Sequence, residues 1–411
     1  MPRVDQVLAT LSYGDAIGHE VVGIHRALRA AGYESEIFVE TAHPAMEALV
    51  RDYRELPAAA GPDDLLVHHF SIGSKASRLA YALPSRMLFV YHNITPPEYF
   101  VGVNRFLVKQ CYLGRRELRA YVERVDLAVG DSEFNRLELE ALGFSPTGVL
   151  PVVPDFSHLE QGSDPLLAGE FDDDWTNILF VGRVIPNKRF DDLVRFFAAY
   201  KTRCNPRSRL LLVGSSVGFE QYRTQLYAFI RRLGVPDVHL VGHVTNEQLT
   251  AFYEVADVFL CASEHEGFCV PLVEAFYMGV PVVAYAAAAV PGTLDGGGVL
   301  YHDKDPAAVA ALLDAVVADA GFRARVLAAQ EAALERLLAR DFAGTLLGFV
   351  ERVLASPRRG RPRVAPDFWE QVASYERLRA LREERPALFE ARPAAPGAAA
   401  RIAEPEHAPD E

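Results

Sequence analysis

The densest run of residues able to do chemistry is Ser263-Glu264-His265-Glu266-Gly267-Phe268-Cys269-Val270-Pro271-Leu272-Val273-Glu274-Ala275. It follows an apolar, strand-like stretch ending near Cys261, and Pro271 suits the first turn of a helix. Glu266 is therefore expected in the loop ahead of that helix and Glu274 in its early turns, both on the side of a cleft. Ionised carboxylates accept hydrogen bonds and suit the paired hydroxyls of a ribose or a hexose. A helix N-terminus keeps such acids ionised and favours a diphosphate close by. Gly267 permits a tight backbone approach. On spacing alone, the two glutamates equally describe the capping of a solvated helix.

A second constellation is Phe180-Val181-Gly182-Arg183-Val184-Ile185-Pro186-Asn187-Lys188. A strand is expected to end at Gly182, and the Pro-Asn turn opens a helix carrying Asp191 and Asp192 in its first turn. Arg183 and Lys188 then sit on a strand-to-helix loop, where backbone donors and two cations can converge on a diphosphate. A solvated surface pair is the commoner fate of such residues; the position after a strand favours the site.

Weaker signals lie in the first half. Ser12-Tyr13-Gly14-Asp15-Ala16-Ile17-Gly18 follows the first strand, and Gly14 and Gly18 could bring backbone donors to phosphate or sugar oxygens. Its spacing is not the dinucleotide fingerprint. His92 ends a strand ahead of the irregular Pro96-Pro97 loop and could donate a hydrogen bond, against the alternative of a satisfied core histidine. His68, His69 and His92 invite a zinc reading, but no carboxylate or cysteine at suitable spacing completes a ligand set, and no metal is expected. Asp172-Asp173-Asp174 precedes a strand and reads as a solvated acidic turn. Arg105, Lys109, Arg115, Arg116, Arg119 and Arg124, interleaved with Phe106, Leu107 and Tyr112, share a helix-period stretch over 104–124. It is either a membrane-facing helix or a solvated basic face.

The elements that must hold these residues alternate between strand and helix almost from end to end, the pattern of α/β architecture with parallel sheets. Strands are expected at 6–11, 35–39, 65–69, 87–92, 127–129 and 149–153, and again at 178–181, 210–213, 238–241, 258–261 and 280–284. Helices are expected at 20–31, 191–200, 221–233, 272–277, 307–318 and 323–337, the last two without adjoining strands. At 411 residues the chain is long enough for two domains. The division expected is 1–153, a Pro-, Asp- and Gly-rich linker at 154–175, a second domain at 176–355, a linker and helix at 356–385, and a disordered tail at 386–411. Two open parallel sheets imply two switch-point crevices that together form one cleft.

A formal net charge of −13 argues against a general nucleic-acid partner. No apolar run is long enough to span a bilayer and residues 1–5 lack a signal pattern, so the expectation is a cytoplasmic chain, with peripheral attachment to the inner face of the plasma membrane left open. Cys111, Cys204, Cys261 and Cys269 have neither disulfide-framework nor zinc spacing; Cys261 and Cys269 read as reduced core thiols.

The Gly182–Lys188 loop, followed by Glu266-Gly267-Phe268 and Glu274, resembles retaining glycosyltransferase family 4, whose GT-B fold sets two Rossmann-like domains with parallel sheets facing across a cleft. By pattern the resemblance runs from Val4 to Ala355 and is strongest from Ile178 to Tyr285. It implies that Arg183 and Lys188 bind the donor diphosphate, that Glu274 binds the ribose hydroxyls, and that Glu266 and the backbone around Phe268 contact the transferred sugar. Gly14 and Gly18 resemble the family's glycine-rich N-domain loop, and His92 its histidine near the reacting sugar. The implied reaction is metal-independent transfer of a hexose, with retention, from a nucleoside diphosphate sugar to a saccharide or lipid-linked hydroxyl acceptor. No cofactor is implied beyond that donor. Mannose from GDP-mannose is slightly favoured, in surface polysaccharide or glycolipid synthesis. Two departures stand out: Cys269 replaces the family's usual glycine, and Pro154-Asp155-Phe156 stands where an Asn-Gly-Val-Asp run is common. The rival readings are a nucleotide-sugar epimerase of the same architecture and a non-catalytic sugar-nucleotide-binding protein.

Overall fold

The computed structural model describes residues 2–12, 14, 16–152 and 154–357. Its first half holds seven strands: β1 (Val4–Leu11), β2 (Ile37–Ala42), β3 (Val50–Asp52), β4 (Leu65–Phe70), β5 (Arg86–Tyr91), β6 (Leu127–Gly130) and β7 (Thr147–Val149). They form one parallel sheet in the order β3-β2-β1-β4-β5-β6-β7. Six more follow: β8 (Thr176–Val181), β9 (Ser208–Val213), β10 (Val238–Gly242), β11 (Val258–Cys261), β12 (Val282–Tyr285) and β13 (Val299–Tyr301). These make a second parallel sheet, β10-β9-β8-β11-β12-β13. Each order reverses direction once, between β1 and β4 and between β8 and β11. Those two points are where loops leave in opposite directions and open a crevice.

The interior strands β4 and β9 are buried at every residue. A parallel sheet covered by helices on both faces needs apolar side chains on both, which is why Leu65–Val67 and Leu210–Val213 run on without alternation. Helices start where local chemistry supplies a partner for their free N–H groups. Thr245 and Gln248 make a reciprocal capping box, and Asp305 caps the Pro306–Ala318 helix through Ala308 N.

Several expectations are corrected. β7 ends at Val149, where the expected strand began, and the short strands β3 and β13 were not anticipated. A three-residue strand carries too little alternation to register as a pattern. The stretch expected as a linker packs on the second domain. Phe156, Leu159 and Phe171 enter its core, and Asp164 N donates to Glu247 O at 3.0 Å. Its Pro and Asp residues serve as helix starts, with Asp164 capping Pro165–Phe171. The second domain also ends before 355. The Phe342–Ala355 helix crosses back to the first sheet, where Leu346, Val350 and Val353 join Val4, Ile24, Leu28 and Leu88 in one core. Gly148 on β7 makes room for it, since a Cβ there would lie 2.7 Å from Phe349 Cζ. The Arg86 guanidinium clasps its end by donating to Val353 O and Ser356 O. The helix expected at 369–384 and the tail at 386–411 lie outside the described residues.

Leu346 is fully buried in the first domain's core although it lies about 200 residues beyond that domain's last strand. Leu346→Ala is expected to destabilise by about 3 kcal/mol, read by chemical denaturation, with the first domain's probes moving rather than the second's.

Candidate functional site

The two loops singled out by residue type lie side by side at the second switch point, one after β8 and one after β11. After β8 the backbone passes Gly182 hard against Gly214 at the end of β9. Gly214 has φ +149°, and a Cβ there would collide with the Gly182 carbonyl oxygen. Only glycine permits that approach. Arg183 then points outward, exposed, with its guanidinium 5.8 Å over the Phe219 ring. A single 3-10 turn, Pro186–Lys188, leads through Arg189 in the left-handed region (φ 54°) into the Phe190–Arg203 helix. This turn aims Lys188 inward and Arg189 the other way, where Arg189 meets Asp191 and Glu264.

Lys188 and Glu266, expected to serve different parts of a ligand, form one ion pair. Lys188 Nζ lies 2.5 and 2.6 Å from the two Glu266 oxygens, and the side chains are only 15% and 8% exposed. Burial opposes the lysine charge, but the Glu266 carboxylate more than offsets it, so the ammonium stays above its ordinary range. An ammonium has three donors, so the two contacts to Glu266 leave one in reserve.

Glu274 sits in the Val270–Tyr277 helix, buried, as expected. Its carboxylate accepts from Tyr253 Oη (2.8 Å) and from His158 Nε2 (3.0 Å). The hydrogen bond to Glu274 raises the His158 pKa, against the opposing effect of burial. Cys269 begins this helix with φ 77°. A left-handed position explains why glycine would be the ordinary occupant, and here the buried Cys269 thiol sits beside Cys261. Phe268 is buried, and its carbonyl accepts from Thr293 Oγ1.

Facing these loops, the first sheet presents a row of buried polar side chains drawn from within and just beyond its strands. Gln6 on β1, His69 on β4, His92 after β5 and Asp131 after β6 share one face, under Glu20 of the Ala16–Ala30 helix. His92 is not open to the cleft: its side chain is 1% exposed and its Nε2 lies 2.9 Å from His69 Nδ1. Gly14 is exposed with φ 76°, whereas Gly18 is buried in the helix, so the two do not form one open loop.

The expectation that no carboxylate completes a set around these histidines is corrected. Glu20, His69 and His92 offer ligand atoms within 4.8 Å of one another. The histidine rings are nearly coplanar, 8° apart, and meet edge to edge through one N–H···N bond. Their facing nitrogens therefore hold a proton between them rather than two lone pairs turned on a shared point. His68 points to the opposite face, among Phe89 and Tyr121, where burial lowers its pKa to about 3 and keeps it neutral.

The domains touch at the site itself. His265 Nε2 lies 2.6 Å from Asn93 Oδ1, and a Cβ on Gly267 would come within 3.1 Å of Asn93 Cβ. Residue-type reasoning missed His158, Tyr253, Asn93, Asn135 and Gly214. A lone histidine in a Pro- and Asp-rich stretch carries no spacing signal. Asn93 does carry a faint one, an Asn directly after an apolar strand, where a left-handed residue is often required.

Residues 168–332 match the family model described as glycosyl transferases group 1. A D-inositol 3-phosphate glycosyltransferase of Xylanimonas cellulosilytica is 36% identical over 162 residues, 39% of this chain and 38% of that protein. The mannosylfructose-phosphate synthase of Agrobacterium fabrum is 36% identical over 111 residues, 26% of this chain and 24% of that one. The chain thus spans well under half the length of the curated relatives it matches. Over the whole frame, the Anabaena protein HepE in complex with UDP-glucose superposes with a TM-score of 0.67 at 17% identity, covering 86% of this chain and 100% of that chain. Sucrose-phosphate synthase from Thermosynechococcus elongatus gives 0.64 at 17% identity, covering 86% and 99%.

Two outcomes follow from the geometry. Lys188→Met strands a buried carboxylate, and breaking such a pair costs about 3–5 kcal/mol. Denaturant titration should show that loss, with most of it recovered in the Lys188→Met/Glu266→Gln double variant. Glu20 is the second case: burial raises its pKa from 4.5 to about 7. The folded state therefore holds the Glu20 proton more tightly than the unfolded chain. The resulting stability is full below about pH 4.5 and is lost as pH rises through about 7. Its size is on the order of 3 kcal/mol, and Glu20→Gln should flatten that part of the stability–pH curve.

Proposed function

We propose that this chain is a nucleotide-sugar-dependent hexosyltransferase, taking as premise that residues 168–332 form a glycosyl transferases group 1 domain on a two-domain GT-B frame. The observation that carries the reading is the buried Lys188–Glu266 pair joining the loops after β8 and β11, the first of which also carries the exposed Arg183 and the second of which leads into the helix of Glu274. Cations at a strand-to-helix loop suit a diphosphate; buried carboxylates suit the hydroxyls on either side of it. The donor is a nucleoside diphosphate hexose, GDP-mannose being the first choice to test, and the acceptor is a saccharide or lipid-linked hydroxyl in surface polysaccharide or glycolipid synthesis.

As the glycosidic bond breaks, negative charge grows on the leaving diphosphate. Arg183 and Lys188 would stabilise it without a metal, each by about 2–4 kcal/mol. The leaving phosphate oxygen takes the acceptor's proton as the new bond forms, with retention at the anomeric carbon, so no enzymic base is assigned. Glu266 keeps Lys188 ionised and, with the backbone around Phe268, would contact the transferred sugar.

The supply of a lipid-linked acceptor would be helped by the Arg105–Ala120 helix. Arg105, Lys109 and Arg119 are exposed on it, and Val101 and Phe106 beside them are each 67% exposed. Cations around protruding apolar side chains suit an anionic bilayer surface. No helix among the described residues is long and apolar enough to cross a membrane.

A thermal-shift panel of UDP-, GDP- and ADP-sugars, with and without EDTA, tests the donor site. A matching donor at a hundredfold excess over its dissociation constant adds about 2.7 kcal/mol of stability. The expected shift is indifferent to EDTA and lost in Glu274→Ala. Arg183→Ala and Lys188→Ala should each lower turnover about 10²- to 10³-fold; full turnover in both would refute the assignment. Donor conversion without an acceptor would instead identify an epimerase, and binding with neither conversion nor transfer a sensor. Co-sedimentation with anionic but not zwitterionic vesicles, lost in Phe106→Asp, checks the bilayer contact.

A further inference from the structure

The His265–Asn93 contact is one link in a longer polar row, and its direction can be read from the fixed groups at each end. In the second domain, Asn187, next to Lys188, donates Nδ2 to His265 O at 3.0 Å, and Glu264 N donates to Asn187 O. Across the cleft, Asn93 Nδ2 donates to Asn135 Oδ1 at 2.7 Å, which turns Asn93 Oδ1 toward His265. An oxygen there can only accept, so His265 Nε2 carries the proton. Burial lowers the His265 pKa to about 4, leaving that tautomer neutral. Asn135 Nδ2 in turn donates to Asp131 Oδ1, and Asp131 Oδ2 stands 3.7 Å from His92 Nδ1, with Glu20 Oε2 at 3.8 Å.

The far end is fixed in the same way. Gln6 Nε2 donates to Val21 O, so Gln6 Oε1 must accept from His69 Nε2, and His69 Nδ1 is then the acceptor for His92 Nε2. Each amide and imidazole on either side of the Asp131–His92 step has one orientation; that step, at 3.7 Å, is longer than a hydrogen bond. The Gln6-His69-His92 segment lies in the buried floor of the first domain, and the Asp131-Asn135-Asn93-His265 segment ends on the loops that carry Lys188 and Glu266. Asn93 holds a left-handed backbone (φ 70°) at the crossing point.

We infer that His265 and Asn93 are positioning residues forming a latch between the domains, anchored through Asn135 and Asp131, which closes the cleft over the Glu266-Gly267-Phe268 loop. Gly267 belongs to it, because a side chain there would meet Asn93 and the His92 carbonyl and hold the domains apart. The latch rests on the glycosyl-transfer reading only for its consequence: a closed cleft keeps water from the donor, so loosening it favours hydrolysis over transfer.

The experiment uses the full chain and three variants: His265→Ala, which removes the donor; His265→Gln, which supplies another N–H; and Asn93→Gly, which keeps the left-handed backbone and removes the amide. One net hydrogen bond shifts the open-to-closed population about fivefold. Small-angle scattering without ligand is expected to give a larger radius of gyration for His265→Ala and Asn93→Gly, and the wild-type value for His265→Gln. With a nucleotide-sugar donor and an acceptor, the ratio of hydrolysis to transfer should rise about fivefold in the first two and return in the third. Unchanged scattering in both loss variants would overturn the latch, as would His265→Gln behaving like His265→Ala. If scattering responds as expected but the wild type transfers no sugar, the functional reading fails while the latch stands.

Discussion

A lysine ammonium and a glutamate carboxylate taken out of water together constrain everything around them. The Lys188–Glu266 pair is favourable only if both loops stay in register, because either charge alone in that place would be costly. The surrounding structure provides that register. Asn187 ties the β8 loop to the His265 carbonyl, and Arg189 turns outward to clasp Glu264. Gly182 and Gly214 press two strand ends together. The left-handed Cys269 lets the chain enter its helix with Glu274 directed at Tyr253 and His158.

Both domains put polar groups at the carboxyl ends of their strands, for the same reason. Inside a parallel sheet covered on both faces a polar side chain is costly unless it finds a hydrogen-bond partner, so the few that occur there are paired, as Gln6 is with Val21 O and His69. In the first domain His92 and Asp131 directly follow β5 and β6, His92 meeting His69 from within β4 and His69 meeting Gln6 from within β1, and the second domain's charged loops follow β8 and β11. The two clusters differ in how they are satisfied. The first is a chain of mostly neutral hydrogen bonds with Glu20 and Asp131 at its edge, whereas the second is ionic. The neutral row reaches across to the second domain only through Asn93 and His265, whereas the ionic pair lies wholly within the second domain.

The Phe342–Ala355 helix makes the two halves interdependent. The chain leaves the first domain after β7, builds the second, and returns to complete the first domain's core with Leu346, Val350 and Val353. Arg86 reaches the carbonyls at its end. The backbone therefore joins the domains twice, between β7 and β8 and again ahead of this helix. That restrains how far the domains can separate while leaving the side-chain contacts across the cleft free to break.

The α/β class, the two parallel sheets and the places of Arg183, Lys188, Glu266 and Glu274 were determined by the sequence itself. Buried strands and helix starts are written in short-range patterns, and both charged loops directly follow a strand. What only the tertiary structure decided is which of these residues meet. That Lys188 faces Glu266, that His158 from the apparent linker reaches Glu274, and that His92 turns inward to His69 all join elements brought together by strand order. The Phe342–Ala355 helix likewise has an apolar face that fits any core of the right size, and only the groove left against β4, β5 and β7 selects its place. Local patterns specify what each segment becomes. Partners distant along the chain are chosen by packing, in which no single residue's type carries the address.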